Sequence, residues 1–213
     1  MAPVIPNPAR IKSFRSEAAF ETWLAKHHDR EPELWLKIHK KASGLPTVTY
    51  AQALDVALCW GWIDGLKKSF DDTSFLQRFT PRRPKSIWSQ VNRLHIARLV
   101  AAGRMMPHGQ RHVDAAKADG RWDRAYGAGA KLETPPELLA AIEAEPKAFA
   151  TFEKLNAQNR FALAFRLHNL RTEAGRNKRI AAFVEMLKRG ETIYPQNLDK
   201  ATARTPAQKA ARK

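Results

Sequence analysis

The sequence predicts an α+β fold: a small antiparallel sheet with flanking helices, followed by an all-helical C-terminal module. Glu33 to Lys40 alternates in polarity, with Leu34, Leu36 and Ile38 on one face and Trp35, Lys37 and His39 on the other, the period-two pattern of a half-buried strand. Asp71-Asp72 turns between two further extended stretches, and everything from Pro136 to Arg189 carries helical spacing only. A chain of 213 residues, 44% of them apolar, supports one good core with a helical satellite.

Residues 1–12 hold three prolines and read as an extended lead-in. Ser16 caps a first helix to about His27, with Phe20, Trp23 and Leu24 on one side. The strand at 34–40 follows and Ser43-Gly44-Leu45-Pro46 ends it. Thr49 and Gln52 form the Thr-x-x-Gln capping box of a second helix; Leu54, Ala57 and Leu58 supply its stripe, and Gly61 and Gly65 stop it. Strands are expected near 66–70 and 74–80. Ser86 is expected to cap a third helix that ends at Gly103, and a fourth spans about Pro107–Ala118.

Gly127 to Lys131 reads as a hinge. Thr134-Pro135-Pro136-Glu137 then combines a capping box with proline at the first helical position. Helices follow near 136–144, 147–154, 157–168 and 173–189. The expected organisation is an α+β domain over 1–130, a helical module over 131–195 and a disordered basic tail over 196–213, where no large apolar residue follows Leu198.

Charge is the compositional outlier. Lys and Arg total 37 against 21 acidic residues, a formal net of +16, which favours nucleic acid, anionic membrane surfaces or acidic proteins as partners. Cys59 is the only cysteine, which excludes an intramolecular disulfide and fits a reducing compartment. The N-terminus lacks the pattern of a secretory signal and no apolar run approaches a bilayer span, so the expected location is cytoplasmic.

The middle of the chain reads TYAQALDVALCWGWIDG over 49–65, RFTPRRPKSIWSQVN over 78–92, then GRM and DGRWDRAY. This order, over about residues 20–126, resembles the bacterial YdeI/OmpD-associated family, also called bacteriocin-protection proteins. Pro135 to about Gly190 is similar to that family's small C-terminal helical module. The resemblance implies bacterial origin and a link to envelope stress or antimicrobial-peptide resistance. It brings no reaction, cofactor or catalytic residue.

The residues themselves point to an anion. Arg78, Arg82, Arg83 and Lys85 lead into the helix expected at Ser86, where unpaired amides and arginine forks act on the same negative group. Trp62, Asp64, Trp88 and Asn92 are expected around that site. The competing reading has the arginines paired with Asp64, Asp71 or Asp72, pinning the hairpin to the helix. Trp60, Trp62, Trp88 and Trp122 either wall a cleft or fill the core, and Trp60 and Trp62 diverge on any regular element.

Other chemistries have less behind them. Asp64 as a general base needs a tuned environment. Cys59, inside an apolar helical run, reads as a buried structural thiol. His108 and His112 face together on a helix but lack a third ligand for zinc. Gly127-x-Gly129 lacks the strand and helix of a phosphate loop. No cofactor or metal is expected, and the catalytic residues are unknown. The partners expected are an anionic small molecule or a protein, with weak, salt-sensitive polyanion binding through the tail and Arg82–Lys85. An enzyme acting on an anionic small molecule and a general polyanion binder are the alternatives to a non-enzymatic protection protein.

Overall fold

The computed structural model describes residues 4–127, 132–168 and 170–198, and the chain divides into two compact units, Met1–Ala125 and Tyr126–Lys213. The first unit is built on a four-stranded sheet in the order β1-β2-β4-β3. Its strands are β1 (Ile11–Lys12), β2 (Leu34–His39), β3 (Trp62–Ser69) and β4 (Ser74–Pro81). β2, β4 and β3 are antiparallel as expected, while β1 adds a short parallel edge that makes the sheet mixed.

β3 begins four residues earlier than the sequence suggests. Gly61 adopts φ 74°, a left-handed conformation that glycine tolerates without strain. The chain therefore leaves its helix and enters the strand at once, with Trp62 as the first strand residue. Gly65, expected to stop the helix, instead lies in the strand, where the register shifts between Asp64 and Lys67. The buried Gln77 amide donates to the Gly65 carbonyl at 2.9 Å and satisfies part of the interrupted ladder.

Helices α1 (Glu17–His27), α2 (Tyr50–Cys59), α3 (Gln90–Ala101) and α4 (Pro107–Ala118) complete the unit, and α2 packs against α1, α3, α4 and β3. Leu34, Leu36, Ile38 and Phe79 meet the apolar stripe of α2 and Phe20 and Leu24 of α1 in one core. The other face of β2 is not solvated as the alternation predicted. Trp35 is fully buried, with the Arg78 guanidinium 5.9 Å from its ring centre.

Ser16 caps α1, its hydroxyl accepting from the Ala19 amide. Thr49 and Gln52 form the expected reciprocal capping box on α2. Thr49→Ala leaves the Gln52 amide without its acceptor and should lower the stability of this unit by about 1 kcal/mol. Urea unfolding followed by tryptophan fluorescence checks this, because all six tryptophans lie between Trp23 and Trp122. An unchanged midpoint would mean that the cap is replaced by water at no cost.

The third helix corrects the sequence reading. It starts at Gln90 with Ser89 as its cap, and Ser86 sits in a turn, its amide donating to the Arg83 carbonyl. The cause is tertiary. The Ser86 and Ile87 carbonyls accept from Arg121 at 2.8 Å and from Arg82 at 2.6 Å, so they are not committed to helical amides.

The second unit contains α5 (Pro136–Glu143), α6 (Pro146–Glu153), α7 (Ala157–His168) and α8 (Glu173–Lys188) around Leu138, Ile142, Phe152, Leu163, Leu167 and Phe183. Thr134 does not cap α5. Pro135 does, without a side-chain bond, because a residue before proline is held extended and Pro136 takes the first helical position. Buried Asn159 donates to the Tyr194 carbonyl and to Gln196, and Gln196 donates to the Lys154 carbonyl. Leu198 packs on the same core. Residues 196–198, assigned to the tail by composition, are thus docked; 199–213 lie outside the described residues, as do 128–131 of the expected hinge. Among the described residues no helix is long and apolar enough to cross a membrane.

Candidate functional site

The abrupt exit from α2 at Gly61 has a local consequence: Trp60, the last residue of the helical turn, and Trp62, the first of the strand, line one cleft of about 360 Å³. On any regular element they would diverge, and the left-handed glycine between them removes that constraint. The end of α1 contributes His28 and Asp29, the end of β4 contributes Pro81, the segment after it contributes Pro84, and α4 contributes His108, Arg111, His112 and Ala115.

Close backbone approach holds these elements together. A Cβ on Gly61 would lie 2.8 Å from the His112 ring and 3.1 Å from the His108 carbonyl oxygen. At Gly109 it would lie 2.2 Å from the Cys59 carbonyl oxygen. The start of α4 therefore sits directly on the end of α2, joined by the Met106 amide donating to the Cys59 carbonyl at 3.2 Å.

The polar groups of the cleft are unevenly satisfied. Trp62 Nε1 donates to the His28 carbonyl at 3.0 Å. His28 Nδ1 donates to the Leu24 carbonyl at 3.0 Å. His28 Nε2 and the neighbouring Trp60 Nε1 are buried without a hydrogen-bond partner, their rings 4.9 Å apart. Arg111 donates to His108 Nδ1 at 2.6 Å, so the His108 hydrogen is on Nε2, and the His108 ring meets the His28 ring edge-on at 3.8 Å. Burial lowers the pKa of His112, and Arg82, Arg111 and Arg121 lower it further. Burial also lowers that of His108, together with His28 and Arg111. His108, Arg111 and His112 thus occupy the α4 side of the cleft, and Asp29 lies at the end of α1.

The sequence-derived site residues divide between this cleft and its supports. Trp62 lines it directly. Arg82 is buried, its guanidinium 3.6 Å from the centre of the Trp88 ring and bonded to the Ile87 carbonyl, and its amide donates to the Gly61 carbonyl at 2.9 Å. Trp88 is fully buried against Trp122. Arg83 and Lys85 are exposed on the segment whose Pro81 and Pro84 form a cleft wall. Ser86 is in the adjoining turn, and the Asn92 amide donates to Ser89 within the first turn of α3.

Arg78 and Asp64 have other partners. Arg78 binds Glu33 at 2.7 Å, with Arg10 on the other carboxylate oxygen at 3.5 Å. Asp64 accepts from the Tyr50 hydroxyl at 2.7 Å; burial and this carboxylate push the Tyr50 pKa well above its ordinary value. Asp71 pairs with Lys37 at 3.1 Å. Cys59 is buried, and burial pushes its thiol up to about 11. Among the described residues no group of three or more His, Cys, Asp or Glu is placed to hold a metal ion.

Sequence reasoning missed His28 and Arg111 and assigned His108 and His112 no ligand other than a metal. The only signal in the chain was the i, i+3, i+4 spacing of His108, Arg111 and His112, which puts all three on one side of α4.

Two family models match parts of the chain. Residues 131–190 match the family described as bacteriocin-protection, YdeI or OmpD-associated. Residues 12–112, which contain all of the cleft's lining residues except Ala115, match a domain of unknown function (DUF8412). The first match thus falls on the helical unit, whereas the motifs that suggested the family lie mostly in the second. No curated protein and no solved structure matches the chain significantly.

Proposed function

We propose that this chain is a stress- or bacteriocin-protection protein whose working step is the capture of an anionic ligand in the cleft beside α4. The match of residues 131–190 supports the protection role. The anion-binding role is carried by one observation: Arg111 and His112 of α4 line the cleft beside His108, with the exposed Arg83 and Lys85 on the adjoining segment that contributes Pro84. A negative group placed there meets the Arg111 charge in a partly water-excluded setting, across from Asp29, the one acidic residue of the lining. Arg83 and Lys85 draw the ligand in from the adjoining loop, and the buried Arg82 holds that loop in shape.

Sulfate is a suitable probe because its charge is constant over the range in which histidine titrates, roughly pH 5 to 8. Binding should tighten as pH falls. His112 and His108 start with lowered pKa values, a bound anion raises them, and the complex therefore takes up protons. Arg111→Gln, at an exposed position, should weaken sulfate binding about fivefold to tenfold with little change in unfolding midpoint. Calorimetric titration at low salt measures both effects. No sulfate binding by the wild-type chain at pH 6, or affinity that rises with pH, overturns the anion-binding reading. Survival of an antimicrobial-peptide challenge by cells producing the wild-type chain, and not R111Q, tests the protection role.

A further inference from the structure

We infer that the ligand of this cleft is a small zwitterion of the amino-acid type, its carboxylate at Arg111 and its ammonium group at Asp29. The inference rests on the anion-binding reading above and adds the second charge of the ligand.

Apart from its histidines, the lining carries two ionised residues, one of each sign, and both are exposed. They come from different elements, Asp29 from the end of α1 and Arg111 from α4, and two histidines link them. His28, next to Asp29 in the chain, meets the His108 ring at 3.8 Å, and Arg111 donates to His108 Nδ1 at 2.6 Å. Both charges therefore act on one ring. Burial lowers the His108 pKa, His28 and Arg111 lower it further, and Asp29 acts in the opposite direction.

Asp29 and Arg111 do not neutralise each other. The ion pair of Asp29 is with its neighbour Arg30 at 3.9 Å, a contact between two exposed side chains that is readily exchanged for a ligand. Arg111 spends one donor on His108, and a guanidinium has five. Each charge is thus able to meet a group of opposite sign.

The size of the cleft makes the second charge matter. Its volume of about 360 Å³ is at the lower end for ligand pockets, so a ligand inside it is close to both residues. A plain anion is attracted by Arg111 and repelled by Asp29. A zwitterion is attracted by both, and the wrong pairing of like charges rejects ligands that carry one sign only. Pro81, Pro84 and Ala115 add uncharged apolar surface to the lining, which suits the carbon skeleton between the two charged groups.

Wild-type protein is titrated at pH 7 and low salt with glycine, β-alanine, 4-aminobutyrate and 6-aminohexanoate. Acetate, propionate, butyrate and hexanoate match them in length and lack the ammonium group, and sulfate is the anion control. Affinities are read by NMR from the ring signals of His108 and His112, which reports weak binding and places it in the cleft. At least one amino acid should bind about fivefold more tightly than its matched carboxylate, the upper end for an exposed ion pair. Asp29→Asn should abolish that advantage and tighten sulfate binding up to about twofold, because a like charge is gone. The matched comparison on the wild type needs no variant, so misfolding of D29N does not remove the test. If sulfate binds and no amino acid exceeds its matched carboxylate, or if the advantage survives in folded D29N, the zwitterion assignment is wrong and the anion cleft stands. If sulfate, the carboxylates and the amino acids all fail to bind, both are wrong.

Discussion

Gly109→Ala is expected to remove about 3 kcal/mol or more from the stability of the first unit, because the added methyl group overlaps main chain. The new Cβ would stand 2.2 Å from the Cys59 carbonyl oxygen and 2.7 Å from that of Leu58. Both atoms are main chain at the end of α2, so no side-chain rotation relieves the overlap. α4 has to move away, which breaks the Met106–Cys59 hydrogen bond and opens contacts around buried Val113 and Ala116. Urea unfolding read by tryptophan fluorescence reports this unit alone, since no tryptophan lies beyond Trp122. A loss below about 1 kcal/mol, within the ordinary range for a tolerated substitution, would show that α2 and α4 are not in this close contact.

The second large effect distinguishes neighbouring cations. Arg82→Gln removes a charged hydrogen bond to the Ile87 carbonyl and the cation stacked on Trp88, leaving that carbonyl without its donor. Charged hydrogen bonds contribute about 1.5–3 kcal/mol and a desolvated cation–π contact about 2, so a total loss of about 3 kcal/mol is expected after partial relaxation. Arg83→Gln together with Lys85→Gln, both at exposed positions, should cost less than about 0.5 kcal/mol. The double change should nevertheless weaken sulfate binding, whereas R82Q weakens it only as the loop loses its shape. Denaturant unfolding beside calorimetric titration separates the two. Equal stability of R82Q and the wild type would show that the buried guanidinium has no structural role.

These contrasts indicate which features the chain disclosed before its structure. The capping box at Thr49 and Gln52, the cap at Ser16 and the four C-terminal helices depend on residues a few positions apart, and local patterns report them faithfully. Ser86 and Ser89 are equally good caps by composition. Only the capture of the Ser86 and Ile87 carbonyls by Arg121 and Arg82 selects Ser89, and those contacts span up to 35 residues. The same distance problem hid the cleft. His28 is at the end of α1 and His108 on α4, and their 3.8 Å ring contact leaves no periodic trace. Trp35 was placed on a polar face by its neighbours Lys37 and His39, yet burial of both faces of β2 is decided by what covers the sheet. The aromatic and basic motif was legible as unusual, and its Pro81, Pro84 and Trp62 do border the cleft; the division between buried Arg82 and exposed Arg83 was not.

Gly61 gives the cleft one further property. Where a side chain would normally form part of the lining, main chain does so, held by the Arg82 amide on the Gly61 carbonyl and hemmed in by the His108 carbonyl. That part of the surface cannot be remodelled by exchanging one amino acid for another, because any Cβ there meets His112 and forces a left-handed backbone onto a residue that resists it. Variation in what the cleft accepts therefore has to arise at its rims, in Arg111 and in the segment carrying Arg83 and Lys85. A directed-evolution library aimed at new ligands would spend its diversity there, and would hold Gly61 and Gly109 fixed.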